Sequence, residues 1–250
     1  VRDRPRFFLS SDHFQGDRIT LPADVAHQVS RVLRLGPGDE VVVLDGLGSL
    51  CVVSLLEMGP KGGEGRILTR EEVRTEPPVP VTLVQSLPKG DRFEWIVQKA
   101  TELGVARIVP VVTERTVMQA KGDRLAEKLK RWQAIAREAA EQSERGRLPE
   151  LLPPVDLMEW LSRPATAGIQ RLACLERSDV RPLLAHREVL RKAAGIELVI
   201  GPEGGFSPGE ADQLARTAHP VSLGPRILRT ETAAVAAVAI AIAMTEQAPA

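Results

Sequence analysis

"IGPEGGFSPGE" occupies residues 200–210 and "LGPRILRTETAA" residues 223–234. Each is a loop interrupted by glycine and proline, set between a short apolar run and a helix-like run. One such loop is an ordinary strand-to-helix turn. Two of them, about one helix and one strand apart, point to a site built from adjacent loops of one sheet. In open α/β sheets ligands bind at the carboxyl ends of strands, where both loops should fall. Part of the first loop merely starts a helix: Ser207-Pro208-Gly209-Glu210 is an S-x-x-E capping box with proline at the first helical position. That leaves Gly201, Pro202, Glu203, Gly204 and Gly205. Three glycines and a proline exceed what a turn needs, and glycine lets a ligand approach the backbone closely.

The nucleotide readings fail on spacing. A phosphate loop ends in G-K-[ST], which does not occur here, and a dinucleotide fingerprint opens a helix early in its domain with G-x-G-x-x-G. A ligand held largely by backbone groups survives. The second loop adds polar chemistry through Arg226, Arg229 and Glu231, with Thr230 or Thr232 as candidate caps of the next helix. That helix, "AAVAAVAIAIAM" at residues 233–244, is apolar on every side and is expected to be buried all round, in a core or against a second subunit.

Working outward, "RTEPPVPV" at residues 74–81 reads as an extended linker. Before it the texture is β-rich: "VVVLDGLGSLCVVSLLEM" gives two strands joined at residues 45–48, "GEGRIL" a third, and a helix interrupts over residues 22–33 until Gly36-Pro37-Gly38. A small barrel fits residues 1–73. After the linker strands and helices alternate. "VTLVQSL", "RIVPVV", "RLACLE", "ELVIG" and "PVSLG" are strand candidates. Asp91 with Glu94 forms a second capping box before Phe93, Ile96, Val97, Ala100 and Leu103, and a long helix over residues 123–145 stops at Gly146. This alternation predicts an α/β domain around a mainly parallel sheet over residues 74–250.

Lysine plus arginine and aspartate plus glutamate are balanced at 33 each, which weighs against a simple electrostatic nucleic-acid binder and leaves only local patches. The first forty residues hold six arginines and no lysine. Arg6 is crowded beside Phe7 and Phe8, and Arg31 and Arg34 sit three apart. Arginine pairs with phosphate in a fork and stacks on bases; a solvated arginine-rich surface is the plain alternative. Cys51 and Cys174 sit in apolar surroundings and read as small buried hydrophobes. Four histidines without ligand spacing make no case for zinc. No apolar run is long enough to span a bilayer and the first residues lack a signal-peptide core, so a cytoplasmic location is expected.

At this point the residues resemble a known family. "LVIGPEGGFSPGE" and "LGPRILRTETA", supported by "VQSLPKGDRFEWIVQKATELGV", "EAAEQSERGRLPE" and "HQVSRVLRLGPGDEVVVLDGLG", are similar to the 16S rRNA uridine-N3 methyltransferases, the ribosomal small-subunit methyltransferase E group of the SPOUT superfamily. The resemblance covers nearly the whole chain. It implies a PUA-like RNA-binding β-barrel over residues 1–73. It implies a SPOUT-type α/β domain over residues 74–250, with a C-terminal trefoil knot that binds S-adenosylmethionine and forms a homodimer. The implied cofactor residues are Leu175, Ile200, Gly201, Pro202, Gly204, Gly205, Leu223, Gly224, Ile227, Leu228, Arg229, Thr230, Thr232 and Ala233. The implied RNA-binding residues are Arg6, His27, Arg31 and Arg34. The expected partner is 16S ribosomal RNA in an assembled or nearly assembled small subunit, with neither membrane nor metal.

Methyl transfer from a sulfonium is an in-line displacement that rests on positioning. Uridine N3 carries a proton, so a base or an anion-stabilising group is needed as well. Arg229 is the candidate for electrostatic stabilisation, and Glu203 and Glu231 for proton removal. Each carboxylate has a structural alternative, as a loop tether or at a helix start, and the residues leave the base open. A catalytically silent RNA-binding or ribosome-assembly factor is the other reading, against which the two intact loops speak. A related methyltransferase acting on transfer RNA is a second.

Overall fold

The computed structural model describes residues 4–116, 123–175 and 180–246. The chain forms two compact units, Val1–Glu76 with Ala140–Leu148, and Pro77–Ala139 with Pro149–Ala250. The expected boundary after residue 73 thus moves to Glu76, and a second segment joins the first unit.

In the first unit β1 (Arg6–Phe8), β2 (Phe14–Gln15), β3 (Arg18–Leu21), β4 (Glu40–Leu44), β5 (Ser49–Gly59) and β6 (Gly62–Glu72) form one sheet in the order β1-β4-β5-β6-β3-β2. The turn between β4 and β5 is held by Asp45, whose carboxylate accepts the N–H groups of Leu47 at 2.8 Å and Ser49 at 2.9 Å. Strand β4 is buried on both faces. Val41 and Val43 pack with Phe7, Leu9 and Cys51, while Val42 and Leu44 pack with Phe8, Leu50 and Val52. That explains why its sequence is an unbroken apolar run rather than an alternation. Helix α1 (Ala23–His27) runs into one π-type turn (Gln28–Val32), closed by Arg34 in the left-handed region at φ 57° and by the Leu35 N–H on the Val29 carbonyl at 3.0 Å.

Residues 140–148 cover the second face of this sheet, with Ala140 and Leu148 against the Phe8 cluster. Glu76 fastens the segment: its carboxylate takes Arg145 and the N–H groups of Gly146 and Arg147, both at 3.2 Å. The stop expected at Gly146 occurs earlier. Helix α3 (Asp123–Gln142) ends at Gln142, and it is Glu144 that adopts the left-handed conformation, at φ 60°. Gly146 answers a different need, since a Cβ there would stand 2.6 Å from Val73 Cβ.

In the second unit β7 (Val81–Ser86), β8 (Arg107–Val112), β9 (Glu150–Leu151), β10 (Val155–Asp156), β11 (Ile169–Cys174), β12 (Gly195–Ile200) and β13 (His219–Val221) form a sheet whose pairings are all parallel. Its order is β10-β8-β7-β12-β11-β13, with β9 also beside β8. Alternate residues feed two apolar layers. Val81, Leu83, Ile196 and Leu198 pack with α2 (Arg92–Leu103) and α7 (Thr230–Thr245). Val84, Val109, Ala173 and Val199 pack with α4 (Leu157–Ser162) and α6 (Pro208–Thr217). Phe93 of α2 meets Trp132 of α3 edge to face, ring centroids 4.5 Å apart. The short α5 (Arg187–Leu190) lies against α7.

Three local expectations change. Asp91 does not cap α2 with its side chain: at φ −94° and ψ 10° it lacks the extended backbone of an N-cap, its carbonyl takes the Glu94 N–H, and Glu94 pairs with Arg131 instead. Neither Thr230 nor Thr232 caps α7, because the cap position falls on Arg229. Helix α7 is not buried all round within the chain. Ala234, Ala237, Val238 and Ala241 are buried, whereas Thr232 and Ala243 are exposed and Ala236 and Ala239 half-buried.

The sheet also carries a buried charge pair. Arg171 of β11 and Glu197 of β12 lie side by side in register, Nε to Oε2 at 2.6 Å, with side chains 4% and 10% exposed. Losing one partner leaves a buried charge uncompensated, which typically costs about 3–5 kcal/mol, whereas replacing both by apolar groups is often neutral. Urea denaturation should accordingly show Arg171→Met strongly destabilised, and the Arg171→Met/Glu197→Leu double variant largely restored.

Candidate functional site

Strands β7 and β12 are hydrogen-bonded neighbours, yet the chain leaves them in opposite directions, from β7 to β8 on one side and from β12 to β13 on the other. Such a switch point opens a crevice at the carboxyl ends of the strands. The loops around it are tied together by specific polar groups. Thr230, at the first turn of α7, donates its hydroxyl to the Gly201 carbonyl at 2.7 Å and accepts from the Gln85 amide at 3.0 Å. Glu203 Oε1 accepts the Lys89 N–H at 3.0 Å and Arg92 Nη1 at 2.7 Å, joining the β12–α6 loop to the β7–α2 loop. Glu210 is buried and divides its carboxylate between the Glu114 N–H and the Ser207 N–H, each at 2.8 Å. Its own N–H reaches Ser207 Oγ at 3.4 Å, so the capping box read in the sequence is present and also anchors the loop after β8.

Beside this framework lies a cavity of about 780 Å³, within the range of small-molecule sites. It collects residues from the end of β11, from the β12–α6 loop and α6, and from residues 220–233. Of the predicted cofactor residues, Leu175, Ile200, Gly201, Pro202, Gly205, Leu223, Gly224, Ile227, Leu228, Arg229, Thr230 and Ala233 line it, and Gly204 and Thr232 do not. Gly204 instead gives its carbonyl to Arg115, and Thr232 is exposed on α7. A Cβ on Gly201 would stand 3.1 Å from the Phe206 ring, so a side chain there would require the ring to give way.

The three candidate catalytic residues separate. Arg229 and Glu203 line the cavity; Glu231 does not, but its Oε2 is buried without a hydrogen-bond partner among the described residues. At Glu203 burial opposes the charge, but the Lys89 N–H, the residue's own N–H and the Arg92 guanidinium outweigh it, and the carboxyl lies below the ordinary glutamate value. A carboxylate stabilised in this way holds a proton poorly. Arg229 is exposed and has no ion-pair partner among the described residues.

Sequence reading missed several wall residues, among them Ala173, Cys174, Phe206, Asp212 and Ala215. Cys174 and Ala173 sit where β11 ends, and nothing in an apolar run marks which of its residues faces a cavity. Burial pushes the Cys174 thiol up to about 12. In the first unit Arg6 does not present a free guanidinium: it pairs with Glu144 at 2.9 Å and its side chain is 9% exposed. His27, Arg31 and Arg34 are exposed. Among the described residues no helix is long and apolar enough to cross a membrane, and no cluster of histidine, cysteine and carboxylate side chains could hold a metal ion.

Residues 75–242 match the RNA methyltransferase domain family. Over 222 residues the chain is 39% identical to the ribosomal RNA small subunit methyltransferase E of Synechocystis sp., spanning 88% of this chain and 71% of that protein. Among solved structures, the ribosomal RNA small subunit methyltransferase E of Neisseria gonorrhoeae bound to S-adenosyl methionine is similar with a TM-score of 0.85. Identity is 34%, over 94% of this chain and 95% of that one. A putative methyltransferase of Legionella pneumophila in complex with bound S-adenosyl methionine gives a TM-score of 0.86 at 32% identity, over 96% and 97% of the two chains. Agreement in sequence and in fold, both over most of the chain, has one consequence: the chain belongs to the ribosomal RNA small subunit methyltransferase E family.

Proposed function

We propose that the chain is an S-adenosylmethionine-dependent methyltransferase that modifies N3 of a uridine in 16S ribosomal RNA. The observation that carries this reading is the glycine-walled cavity at the strand ends, closed by Thr230 on Gly201. The residues suit the cofactor. Ile200, Leu223, Leu228 and Ala233 offer an apolar wall, and Glu203, Asp212, Arg226 and Arg229 a polar one. When bound, S-adenosylmethionine supplies an electrophilic methyl group on a sulfonium. Gly201, Gly205 and Gly224 let the ligand lie close to backbone, and Arg226 and Arg229 put positive charge at the wall where an RNA phosphate approaches. Glu203 serves as the tether of its loop, and Glu231, with its unengaged buried oxygen, receives the N3 proton.

The finer architecture follows the same reading. After β13 at the sheet edge the chain returns to the centre of the sheet, where α7 packs on α2, β7 and β12 and Thr230 reaches Gly201. We take this path as the C-terminal trefoil knot of a SPOUT domain, and the sheet of the first unit as a PUA-like barrel. The small apolar stripe of Ala236, Ala239 and Ala243 suits a homodimer interface. RNA is held in the first unit by Arg31 and Arg34, with His27 beside them.

Five outcomes are expected. Mass spectrometry of 16S rRNA from a strain lacking the protein should show one methyluridine lost, and purified protein with S-adenosylmethionine should restore it at N3. Calorimetry should find one cofactor site per subunit and none in Gly201→Val. Sedimentation should give about twice the 27.2 kDa chain mass. Replacing Arg31 and Arg34 with alanine should weaken RNA binding and reduce the salt slope by about 0.7–0.9 for each lost phosphate contact, with cofactor affinity unchanged. Arg34→Gly separates binding from folding: glycine suits the left-handed backbone at 34, so thermal stability should hold or rise while RNA binding falls.

A further inference from the structure

Arg92 is absent from the cavity wall, yet it is the cation that meets both carboxylates of the site. Its Nη1 donates to Glu203 Oε1 at 2.7 Å, and its Nε stands 4.0 Å from Glu231 Oε1. The side chain is 43% exposed, so the guanidinium is open to a ligand while held at one edge. Of the neighbouring charged groups, Lys89 and Asp91 lie in the loop before α2, Glu94 of α2 is paired with Arg131, Glu210 is engaged by the Glu114 and Ser207 N–H groups, Arg229 precedes α7, and the Arg115 guanidinium is turned to the Gly204 carbonyl.

The strand end next to Arg92 is rich in polar atoms that the protein itself does not satisfy. Gln85 and Ser86 are fully buried where β7 ends. Gln85 Oε1 and Glu231 Oε2 lack a hydrogen-bond partner among the described residues, and they belong to the two residues at and next to the Gln85–Thr230 hydrogen bond; Ser86 Oγ also lacks one, on the other face of β7. Buried polar atoms without partners are rare in folded proteins, and each calls for a strain, catalytic or binding explanation. They fall at the β7–β12 switch point, on the β7 side, whereas the cavity opens from the β11–β12–β13 side. The site therefore has two flanks, with Glu203 belonging to both: it lines the cavity and holds Arg92.

Resting on the reading of the chain as a uridine-N3 methyltransferase, we propose that the acceptor base sits on the β7 flank, where Arg92 and Glu231 exchange charge with it. The N3 proton passes to Glu231, the N3 electron pair forms the new N–C bond, and the S–C bond breaks with its electron pair going to sulfur. Before the step Arg92 is attracted by two carboxylates. Once Glu231 is neutralised by the proton, the attraction it exerted on Arg92 is replaced by that of the uracil oxygens, which carry the displaced negative charge. The count of charges is unchanged, and the cation is in place before the anion forms, which is the condition for effective electrostatic stabilisation. Glu203 is the weaker proton acceptor, since its contacts favour the ionised form, and it keeps Arg92 oriented.

The test measures single-turnover methyl transfer to 16S rRNA from unmethylated small subunits as a function of pH, with wild type, Arg92→Ala and Arg92→Lys, alongside calorimetry with S-adenosylmethionine. Arg92→Ala should slow transfer by about 100- to 1,000-fold at neutral pH. The deficit should shrink by about tenfold per pH unit on the alkaline side, where solvent hydroxide generates the uracil anion without help. Arg92→Lys should retain the wild-type pH dependence with a smaller loss, and cofactor affinity should match wild type in both variants. A deficit that is the same at every pH, an undiminished rate in Arg92→Ala, or a parallel loss of cofactor affinity would overturn the proposal and leave Arg92 as a support of the Glu203 loop. If the wild-type protein transfers no methyl group to N3, the functional reading itself is refuted, and the role of Arg92 with it.

Discussion

The Thr230 hydroxyl donates to the Gly201 carbonyl and accepts from the Gln85 amide, with the threonine only 5% exposed. Three segments far apart in the chain meet at this atom: the end of β7, the first residue after β12, and the first turn of α7. A buried hydroxyl or carbonyl left without a partner costs about 1–3 kcal/mol, so the three segments are held in one register by the penalty for parting as much as by the bonds themselves. Gly201 and Thr230, which both line the cavity, take their position from this junction.

Carboxylates organise the rest, and they do so through backbone N–H groups more than through cations. Glu210 holds the loop after β8 to the start of α6, Glu203 holds the β7–α2 loop to the β12–α6 loop, and Glu76 gathers residues 145–147 in the first unit. Each accepts several donors at once, which orients a loop without rigid secondary structure and leaves its glycines free for close contact with a ligand. It also explains how a chain with no net charge builds a charged site: pairing is local, and cations such as Arg229 stand at the surface where no acidic partner meets them among the described residues.

Much of this was legible beforehand because it follows from local rules. The two loops, the Ser207–Glu210 capping box, the β4–β5 turn and the parallel sheet are each written in a few consecutive residues or in their periodicity. What was not legible depends on partners distant in sequence. Asp91 has a capping pattern, but Glu94 is drawn off to Arg131, 37 positions away. Arg6 looked like a nucleic-acid contact until Glu144 claimed it, and Gly146 looked like a helix stop where it serves close packing against Val73. The attachment of Ala140–Leu148 to the first unit has the same origin, since a helix that reads as continuous carries no mark of where its packing partner changes. Thr230 was read as a cap candidate, and its actual role needs the Gly201 carbonyl and the Gln85 amide to be in place.

The most direct measurement is cofactor binding by Thr230→Val, which keeps the shape of the side chain and removes its hydrogen bonds. Loss of a buried pair at about 1–3 kcal/mol corresponds to a weakening of S-adenosylmethionine affinity by about 5- to 150-fold. Thr230→Ser, which keeps the hydroxyl, should bind within a few-fold of wild type. Wild-type affinity in Thr230→Val would contradict the account, because the cavity would then keep its form without the junction on which it is held to depend.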